Sequence, residues 1–291
     1  MKYSKIGVVG VGNVGQGIAE MLSEKGLDVL LLDQNPDRLE ASLNAIEISL
    51  DKQIERWGIT QTEKKLILSR IHKTVTMEEM ADCSLVIESI SEELEAKKDI
   101  FRRLDRICGP EVILASTTST LSVTELASVC DSPERVIGLH FLVPVSKKID
   151  LVEIIRGIKT SEETFQNTKY FAEKVIEQKG IQVYESPGLV TTRLICTLIN
   201  EAVTTLTEGV ATAEDIDSAM RMGYDFRYGP LEMADRFGID SVYAALERMF
   251  REYGDLKYRP SYLLKKMIRA GQLGVKSGEG FFRYDKDGDR L

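Results

Sequence analysis

The sequence has few of the residues that build disulfide frameworks, metal sites or membrane spans. Its 291 residues include only four cysteines and two histidines. The cysteines are irregularly spaced and form no CxxC pair, so we expect neither disulfides nor a metal site. No apolar run approaches the roughly 18 residues that cross a bilayer. An apolar strand pattern begins at Lys5, so we expect no signal peptide, no membrane partner and a cytoplasmic location.

An excess of positive charge is also missing. The chain carries 38 Lys and Arg against 46 Asp and Glu, a net charge of −8. Binding to nucleic acid regardless of its sequence needs clustered basic residues that neutralise phosphates, so we expect no nucleic-acid partner. The apolar fraction of 43% is instead ample for a packed interior, and the length is typical of about two domains.

Five short runs in the first half of the chain are continuously apolar, which is typical of parallel strands buried on both faces. They are Lys5–Val9, Val29–Leu32, Ser84–Glu88, Val112–Ala115 and Val136–His140. Helical patterns separate these runs at Val14–Lys25, Asn35–Trp57, Glu93–Ile107 and Thr124–Cys130. The alternation predicts an α/β fold with a doubly wound, Rossmann-type parallel sheet.

A helical stretch near residues 37–69 is too long for an ordinary crossover between strands. We expect it to form a pair of helices, broken at Gly58, that projects from the sheet. The pattern changes again after residue 186, where helical periodicity takes over and ends in a frayed tail at Asp285–Asp289. The sequence therefore predicts one domain over residues 1–186 and a second, mainly α-helical domain over residues 187–291.

The first strand is followed by a GxGxxG sequence that opens a helix. Its residues are Gly10, Gly12 and Gly15, with Asn13 and Val14 between the last two glycines. The first glycine permits a tight turn, the second lets the backbone approach a pyrophosphate, and the third lets helix and strand pack closely. This arrangement predicts a dinucleotide site. The alternative interpretation is a glycine-rich turn that binds no ligand.

An acidic residue stands where such a site needs one. Asp33 ends the second strand, 18 residues after Gly15. A carboxylate there binds a ribose 2′-hydroxyl and repels a 2′-phosphate, which favours NAD over NADP. Gln34 follows it, but Arg38 lies nearby and keeps NADP open as an alternative.

One histidine lies where a ligand is expected. His140 ends a buried-type strand at the sheet edge that binds ligands in open α/β folds, whereas His72 lies in a polar stretch and is predicted to be a solvated surface residue. Glu153 is a single acid in an apolar run, and burying it is costly unless it is paired, so we expect it to pair with His140. Imidazole beside a carboxylate suits a general base for alcohol oxidation. A buried structural pair is the alternative.

These features occur within longer segments that carry a family resemblance. From Lys5 to Tyr284 the chain resembles the short-chain 3-hydroxyacyl-CoA dehydrogenases. The matching segments include KIGVVGVGNVGQGIA, LVIESISEELEAKKDIF, RVIGLHFLVPV, LVEIIRG, YGPLEMAD and GDLKYRPSYLLKKMIRAGQLGVKSGEGFFRY. The resemblance implies an NAD-binding domain followed by a helical dimerisation domain, hence a homodimer, with the active site in the cleft between them.

The resemblance also implies roles for individual residues. His140 matches the general base, Glu153 the acid that orients it, and Ser119 the serine that contacts the substrate hydroxyl. Glu92 and Lys97 match positions near the nicotinamide ribose. Lys52 and Arg56 match basic positions that meet the CoA phosphates. These two lie at i, i+4 in the helical insertion, where a solvated charged face is the alternative.

The chain departs from the family at several positions. Val143 and Thr192 stand where the family has asparagine, and losing one such donor costs about 10²–10³ in rate. The hydroxyl of Thr192 can make one of the hydrogen bonds of the missing amide, whereas the side chain of Val143 can make none. The family sequence NTSS here is Thr117-Thr118-Ser119-Thr120.

Two further departures concern the substrate. The stretch between His140 and Glu153 has one extra residue and is basic at Lys147 and Lys148. Arg227 and Tyr228, which are bulky and polar, stand where the family has Pro-Met before Gly-Pro-Leu. Two explanations are open. One is neutral drift on a surface turn, and the other is an acyl pocket that accepts a carboxylate.

Three functional hypotheses follow from these residues. The first is NAD-dependent oxidation of a short 3-hydroxyacyl-CoA, or the reverse reduction. The second keeps this chemistry but acts on a carrier-bound or free hydroxy acid that is polar or carboxylated. The third is an NAD-binding module without catalysis, against which the intact Ser119, His140 and Glu153 argue.

Overall fold

The computed structural model describes residues 3–142, 145 and 149–291. The chain divides into two compact units, Met1–Glu185 and Ser186–Leu291. Val143, Lys147 and Lys148 lie outside the described residues. Among the residues that are described, no helix is both long and apolar enough to cross a membrane.

The described part of the first unit contains one eight-stranded sheet in the order β3-β2-β1-β4-β5-β6-β7-β8. Its strands are β1 (Lys5–Val9), β2 (Asp28–Leu32), β3 (Ile71–Thr74), β4 (Leu85–Glu88), β5 (Ile113–Ser116), β6 (Val136–Phe141), β7 (Leu151–Arg156) and β8 (Lys179–Tyr184). Neighbouring strands are parallel, except that β6 and β7 are antiparallel. The predicted Rossmann-type α/β class is confirmed.

Strand β3 is absent from the sequence-based prediction. Only its first and last residues are buried, and the two between them, His72 and Lys73, are exposed. A short edge strand with two polar residues lacks the continuous apolar run that marks the central strands. His72 is nevertheless exposed, as expected.

Helices cover the sheet of the first unit. They are α1 (Asn13–Glu24), α2 (Pro36–Glu55), α3 (Gln61–Ser69), α4 (Leu94–Ile107), α5 (Val123–Ala127) and α6 (Glu162–Tyr170), the last continued by a π-helical turn at Phe171–Val175. Side chains from the strands and from α1, α2 and α6 form one apolar core.

The helical insertion is a pair of helices, α2 and α3, as predicted, but its projection from the sheet was wrong. Leu39, Ile46 and Leu50 are buried at helical spacing and join the core of the unit. Near the end of α2, the carboxylate of Glu20 on α1 accepts hydrogen bonds from Ser49 Oγ at 2.8 Å and from Gln53 Nε2 at 3.0 Å. The pair therefore packs along α1.

Helix α2 ends in an unusual way. The backbone N–H of Trp57 donates to the carbonyl of Ile54 at 2.9 Å, and that of Gly58 donates to the carbonyl of Gln53 at 2.8 Å. This pair of bonds is the Schellman motif, whose left-handed residue is usually glycine. Here that residue is Trp57, with φ +58°, a conformation that costs a non-glycine residue roughly 1–2 kcal/mol.

The second unit is helical, as predicted. Its helices are α7 (Thr191–Thr207), α8 (Ala213–Tyr224), α9 (Pro230–Phe237), α10 (Ile239–Tyr253) and α11 (Tyr262–Arg269). Buried aliphatic side chains from these helices, together with Tyr258, form a separate core. Asp217 on α8 accepts the N–H groups of Leu231 and Glu232, both at 2.8 Å, which satisfies two donors at the start of α9.

A second buried acid holds the C-terminal segment. Asp235 accepts the N–H groups of Phe281 and Phe282 at 2.9 Å each and the hydroxyl of Tyr284 at 3.0 Å. Burial raises the pKa of Asp235 to about 6, against the effect of these three donors. These three hydrogen bonds to one carboxylate hold the chain in place up to Tyr284.

The frayed tail predicted at Asp285–Asp289 was wrong. The carboxylate of Asp285 accepts the N–H groups of Asp287 and Asp289, both at 2.9 Å. The guanidinium carbon of Arg290 then lies 3.5 Å from the centre of the Phe282 ring. The polar composition of the tail marks an ordered turn, because aspartate readily closes a turn on its own backbone.

Candidate active site

The carboxyl ends of three strands meet at one edge of the sheet. In the strand register Val9 of β1 lies beside Glu88 of β4, and Glu88 lies beside Ser116 of β5. The loops that follow these strands therefore start side by side. Open α/β sheets bind their ligands at such an edge.

The glycines of the GxGxxG turn are there for different structural reasons. Gly10 has φ +105°, and a Cβ there would lie 2.5 Å from the carbonyl oxygen of Ser89. A Cβ at Gly15 would lie 2.0 Å from the carbonyl oxygen of Gly10. A Cβ at Gly12 would meet nothing within 4 Å, and Gly12 caps the start of α1, ahead of Asn13. The open space at this helix N-terminus fits the pyrophosphate of a dinucleotide.

A cavity of about 500 Å³ lies beside this turn. Its lining includes Gly10, Leu32, Asp33, Arg38, Ile90 and Ile100. One carboxylate oxygen of Asp33 accepts the N–H of Asn35 at 3.0 Å, and the other lies 3.4 Å from the guanidinium of Arg38. An apolar cavity with a carboxylate at its rim fits an adenosine whose ribose carries a free 2′-hydroxyl.

A buried ion pair lies at the centre of the same edge. Lys97 on α4 is 1% exposed, and its Nζ lies 2.6 Å from a carboxylate oxygen of Glu88, which is fully buried. The other oxygen of Glu88 accepts the hydroxyl of Ser116 at 2.7 Å. Nζ of Lys97 also lies 3.5 Å from the carboxylate of Glu92.

Glu92 in turn holds the loop that carries Ser119. One of its oxygens accepts the hydroxyls of Thr118 at 2.6 Å and Thr120 at 3.0 Å, and the N–H groups of Ser119 and Thr120, both at 3.1 Å. Burial raises the pKa of Glu92, but the Lys97 ammonium and the two hydroxyl donors outweigh it. The pKa therefore lies below its usual range, so Glu92 is an anion at neutral pH.

Four residues of this network were missed from the sequence: Glu88, Ser116, Thr118 and Thr120. The sequence did contain a signal for Glu88, because this acid ends an apolar run. Glu153 was found by the same kind of signal, an acid within an apolar run. The three hydroxyl residues have no such signal, since hydroxyls in loops are common and their partners lie far along the chain.

His140 and Glu153 lie directly opposite each other on the antiparallel strands β6 and β7. The distance from Nδ1 of His140 to a carboxylate oxygen of Glu153 is 2.6 Å, and the two residues are 7% and 0% exposed. With Nδ1 facing the carboxylate, Nε2 is the ring nitrogen that can exchange a proton with a ligand. The expected pairing of these residues is therefore present.

Two other predicted site residues of the first unit are not part of this edge. Lys52 and Arg56 are exposed near the end of α2, close to Gln53, which reaches Glu24 at the far end of α1 with a 3.0 Å hydrogen bond. Helix α1 has 12 residues, so about 18 Å separates its two ends. In the second unit, Thr192 is half-buried in the first turn of α7 and Arg227 is exposed.

The glycine turn allows a test of the dinucleotide site that separates binding from folding. We expect Gly12→Ala to fold normally, because φ is −69° and the added Cβ meets no protein atom. NADH binding should weaken by about tenfold or more, roughly 1.4 kcal/mol, since the methyl group enters the space for the pyrophosphate. NADH fluorescence measures the binding and thermal unfolding measures the stability.

Gly15→Ala is the matched variant. Its Cβ would collide with the carbonyl of Gly10, so we expect it to lower the unfolding temperature as well as NADH binding. If Gly12→Ala binds NADH as the wild type does, the pyrophosphate does not pass this helix terminus.

Comparison with known proteins agrees with this geometry. Residues 5–186 match the NAD-binding domain of 3-hydroxyacyl-CoA dehydrogenase, and residues 188–284 match its C-terminal domain. A Bacillus subtilis protein named probable 3-hydroxybutyryl-CoA dehydrogenase is 42% identical over 98% of this chain and 99% of its own length. The crystal structure of Mycobacterium tuberculosis FadB2 superposes with a TM-score of 0.95 at 34% identity, covering 98% of this chain and 100% of that one.

A more distant relative has a different name. The 3-hydroxyadipyl-CoA dehydrogenase of Escherichia coli is 32% identical over 95% of this chain and 58% of its own length. Both domain matches and the full-length relatives point the same way. The chain belongs to the 3-hydroxyacyl-CoA dehydrogenase family, and its first domain is the NAD-binding domain of that family.

Proposed function

We propose that the protein oxidises the hydroxyl of a short 3-hydroxyacyl-CoA to a ketone with NAD, or catalyses the reverse reduction. The observation that carries the proposal is the buried pair of His140 and Glu153 in the sheet of an NAD-binding domain. The name of the Bacillus subtilis relative, 3-hydroxybutyryl-CoA dehydrogenase, supports a four-carbon acyl group.

In the proposed mechanism His140 acts as the general base. Nε2 takes the proton of the substrate hydroxyl, and the carboxylate of Glu153 stabilises the imidazolium that forms. Bound NAD, held at the GxGxxG turn and Asp33, would supply the acceptor for the hydride of the carbinol carbon. The substrate thus loses a proton and a hydride and becomes the 3-oxoacyl thioester. In the reverse direction protonated His140 returns the proton to the carbonyl oxygen.

The loop held by Glu92 positions the substrate in this proposal. The hydroxyl of Ser119 donates to the substrate oxygen, and the hydroxyl of Thr192 supplies a second donor. Glu92 contacts the nicotinamide ribose with the part of its side chain that is exposed, 35%. Lys97, which is 1% exposed, acts on the ribose site by holding Glu92 through their 3.5 Å contact.

The proton transfer is tested with acetoacetyl-CoA and NADH, followed at 340 nm. We expect His140→Asn and Glu153→Gln each to lower kcat by about 10²–10⁴, because the first removes the base and the second removes the charge that stabilises it. NADH binding should be unchanged in both variants. Turnover of His140→Asn at the wild-type rate would show that another group moves the proton.

A second candidate function changes the substrate and keeps the chemistry. The exposed guanidinium of Arg227 lies 5.1 Å from the ring of Tyr228, whose centre is 4.1 Å from the guanidinium of Arg236. This aromatic support favours recognition of a carboxylated acyl chain, carried by CoA or a carrier protein or free. The Escherichia coli relative is named for adipyl, a dicarboxylic acyl group.

The two candidates differ in how they use Arg227. If the acyl chain ends in a carboxylate, Arg227→Met should lower kcat/KM for a carboxylated 3-oxoacyl-CoA by about tenfold or more and leave acetoacetyl-CoA unaffected. If Arg227→Met and the wild type have the same kcat/KM for the carboxylated substrate, the carboxylate contact is excluded. Failure of the wild type to reduce either thioester while it binds NADH favours a non-catalytic module.

We also propose that the protein is a homodimer through its second unit. Large apolar side chains are exposed there, among them Leu194 at 66%, Met222 at 88% and Tyr224 at 72%, and a subunit interface would remove such side chains from water. Sedimentation at micromolar concentration should give twice the mass of the chain, and Leu194→Glu should give the single mass. A wild-type monomer under these conditions contradicts the proposal.

A further inference from the structure

The loop that carries Ser119 is held at both of its ends. It runs over residues 117–122, between β5 and α5. On the side of β5, Glu92 holds it through the four hydrogen bonds described above. On the side of α5, a second carboxylate binds the chain, and it belongs to Glu185. No motif in the sequence points to Glu185.

Glu185 uses both of its carboxylate oxygens for this contact. One oxygen accepts the hydroxyl of Ser122. The other accepts both the backbone N–H and the hydroxyl of Thr124, each at 2.7 Å. Glu185 is half-buried, so these three donors replace water that the carboxylate would otherwise bind.

Thr124 lies where three segments of the first unit meet. Its hydroxyl oxygen accepts the N–H of Ile158 at 2.9 Å, in the turn that follows β7. Gly157 leaves room for this approach, because a Cβ there would lie only 3.1 Å from the backbone nitrogen of Thr124. Glu185 follows directly after β8 and is the last residue of the unit. The start of α5 is thereby bonded to the chain at the ends of both β7 and β8.

The bonds of Glu185 go beyond what α5 needs as a cap. Ser122 already caps this helix, since its hydroxyl oxygen accepts the N–H of Glu125 at 2.9 Å. A cap of this kind is a close neighbour in the sequence. Glu185 instead comes from 61 residues beyond Thr124. A carboxylate from a distant strand fixes where the loop and the helix lie in the unit, which a local cap does not do.

The need for a second anchor follows from the geometry of the first. All four hydrogen bonds of Glu92 end at the same carboxylate oxygen, so with this anchor alone the loop would be free to pivot about one atom. In the proposed function the hydroxyl of Ser119 donates to the substrate oxygen. Such a donor stabilises the transition state only at hydrogen-bond distance, and a displacement of about 1 Å costs up to about 10²-fold in rate.

We propose that Glu185 is a positioning residue for the substrate. It fixes the orientation of the Ser119 loop, so that the hydroxyl of Ser119 meets the substrate oxygen. This inference rests on the proposed function and adds a residue that acts through Ser119 without touching the substrate. It gives the end of β8, the outermost strand of the sheet, an effect on the reaction.

A double-mutant cycle in the reduction of acetoacetyl-CoA by NADH tests whether Glu185 acts through Ser119. We expect Glu185→Ala to lower kcat by about tenfold or more, since Ser119 is displaced, and to leave NADH binding unchanged. In the Ser119→Ala background, which has lost the donor itself, Glu185→Ala should lower kcat much less. Glu185→Gln keeps an oxygen that accepts from Thr124 and should restore most of kcat.

Glu79 provides the matched control. Its carboxylate accepts the hydroxyl of Thr74 at 2.7 Å, at the opposite edge of the sheet, where β3 lies. Glu79→Ala removes the same kind of hydrogen bond and should leave kcat unchanged in both backgrounds. Amide hydrogen exchange, followed by mass spectrometry, reports on the loop without turnover. Glu185→Ala should speed the exchange of residues 117–124, and Glu79→Ala should not.

These measurements separate the inference from the proposed function. An equal loss of kcat from Glu185→Ala in both backgrounds overturns the inference, because Glu185 then acts independently of Ser119. Unchanged exchange of residues 117–124 in Glu185→Ala also overturns it. If Glu185→Ala does not fold, Thr124→Val, which removes one of the three donors, takes its place in the cycle. A wild type that does not reduce the thioester overturns the proposed function, while the exchange still tests the anchor.

Discussion

The ammonium group of Lys97 lies where water does not reach it, and the arrangement of the ligand-binding edge follows from that fact. A buried charge is tolerated only when opposite charges and hydrogen bonds replace its hydration. Glu88 supplies the first counter-charge from the end of β4, and Glu92 supplies the second from the loop that follows. Glu92 then orders the loop after β5 through four hydrogen bonds. One lysine thereby links three segments at the edge.

The same physical rule accounts for the pair of Glu153 and His140. Glu153 is a fully buried acid on β7, and the antiparallel register places His140 of β6 directly across from it. Cross-strand neighbours are the closest side chains in a sheet. Two acids in apolar strands, Glu88 and Glu153, thus mark two parts of the sheet, one that holds the loop after β5 through Lys97 and Glu92 and one that pairs with the proposed general base.

Much of this organisation could be predicted from the sequence, because it depends on local patterns. Continuous apolar runs gave the central strands, and the glycine spacing gave the dinucleotide turn. The predictions that were wrong concern segments whose partners lie far away in the sequence. Helix α2 was expected to project, since nothing in its own sequence reveals that Ser49 and Gln53 bond to Glu20 on α1, 29 and 33 residues earlier in the chain. The tail was expected to fray, since the anchor of the preceding segment is Asp235, 46 residues before Phe281.

The register between β6 and β7 also bears on how such an enzyme evolves. The stretch between His140 and Glu153 is one residue longer than in the family pattern and is basic, yet the two side chains still face each other. Strand pairing, and not the length of the connection, decides which residues are opposite. The connecting segment can therefore gain, lose or exchange residues over evolutionary time without changing which side chains of β6 and β7 face each other.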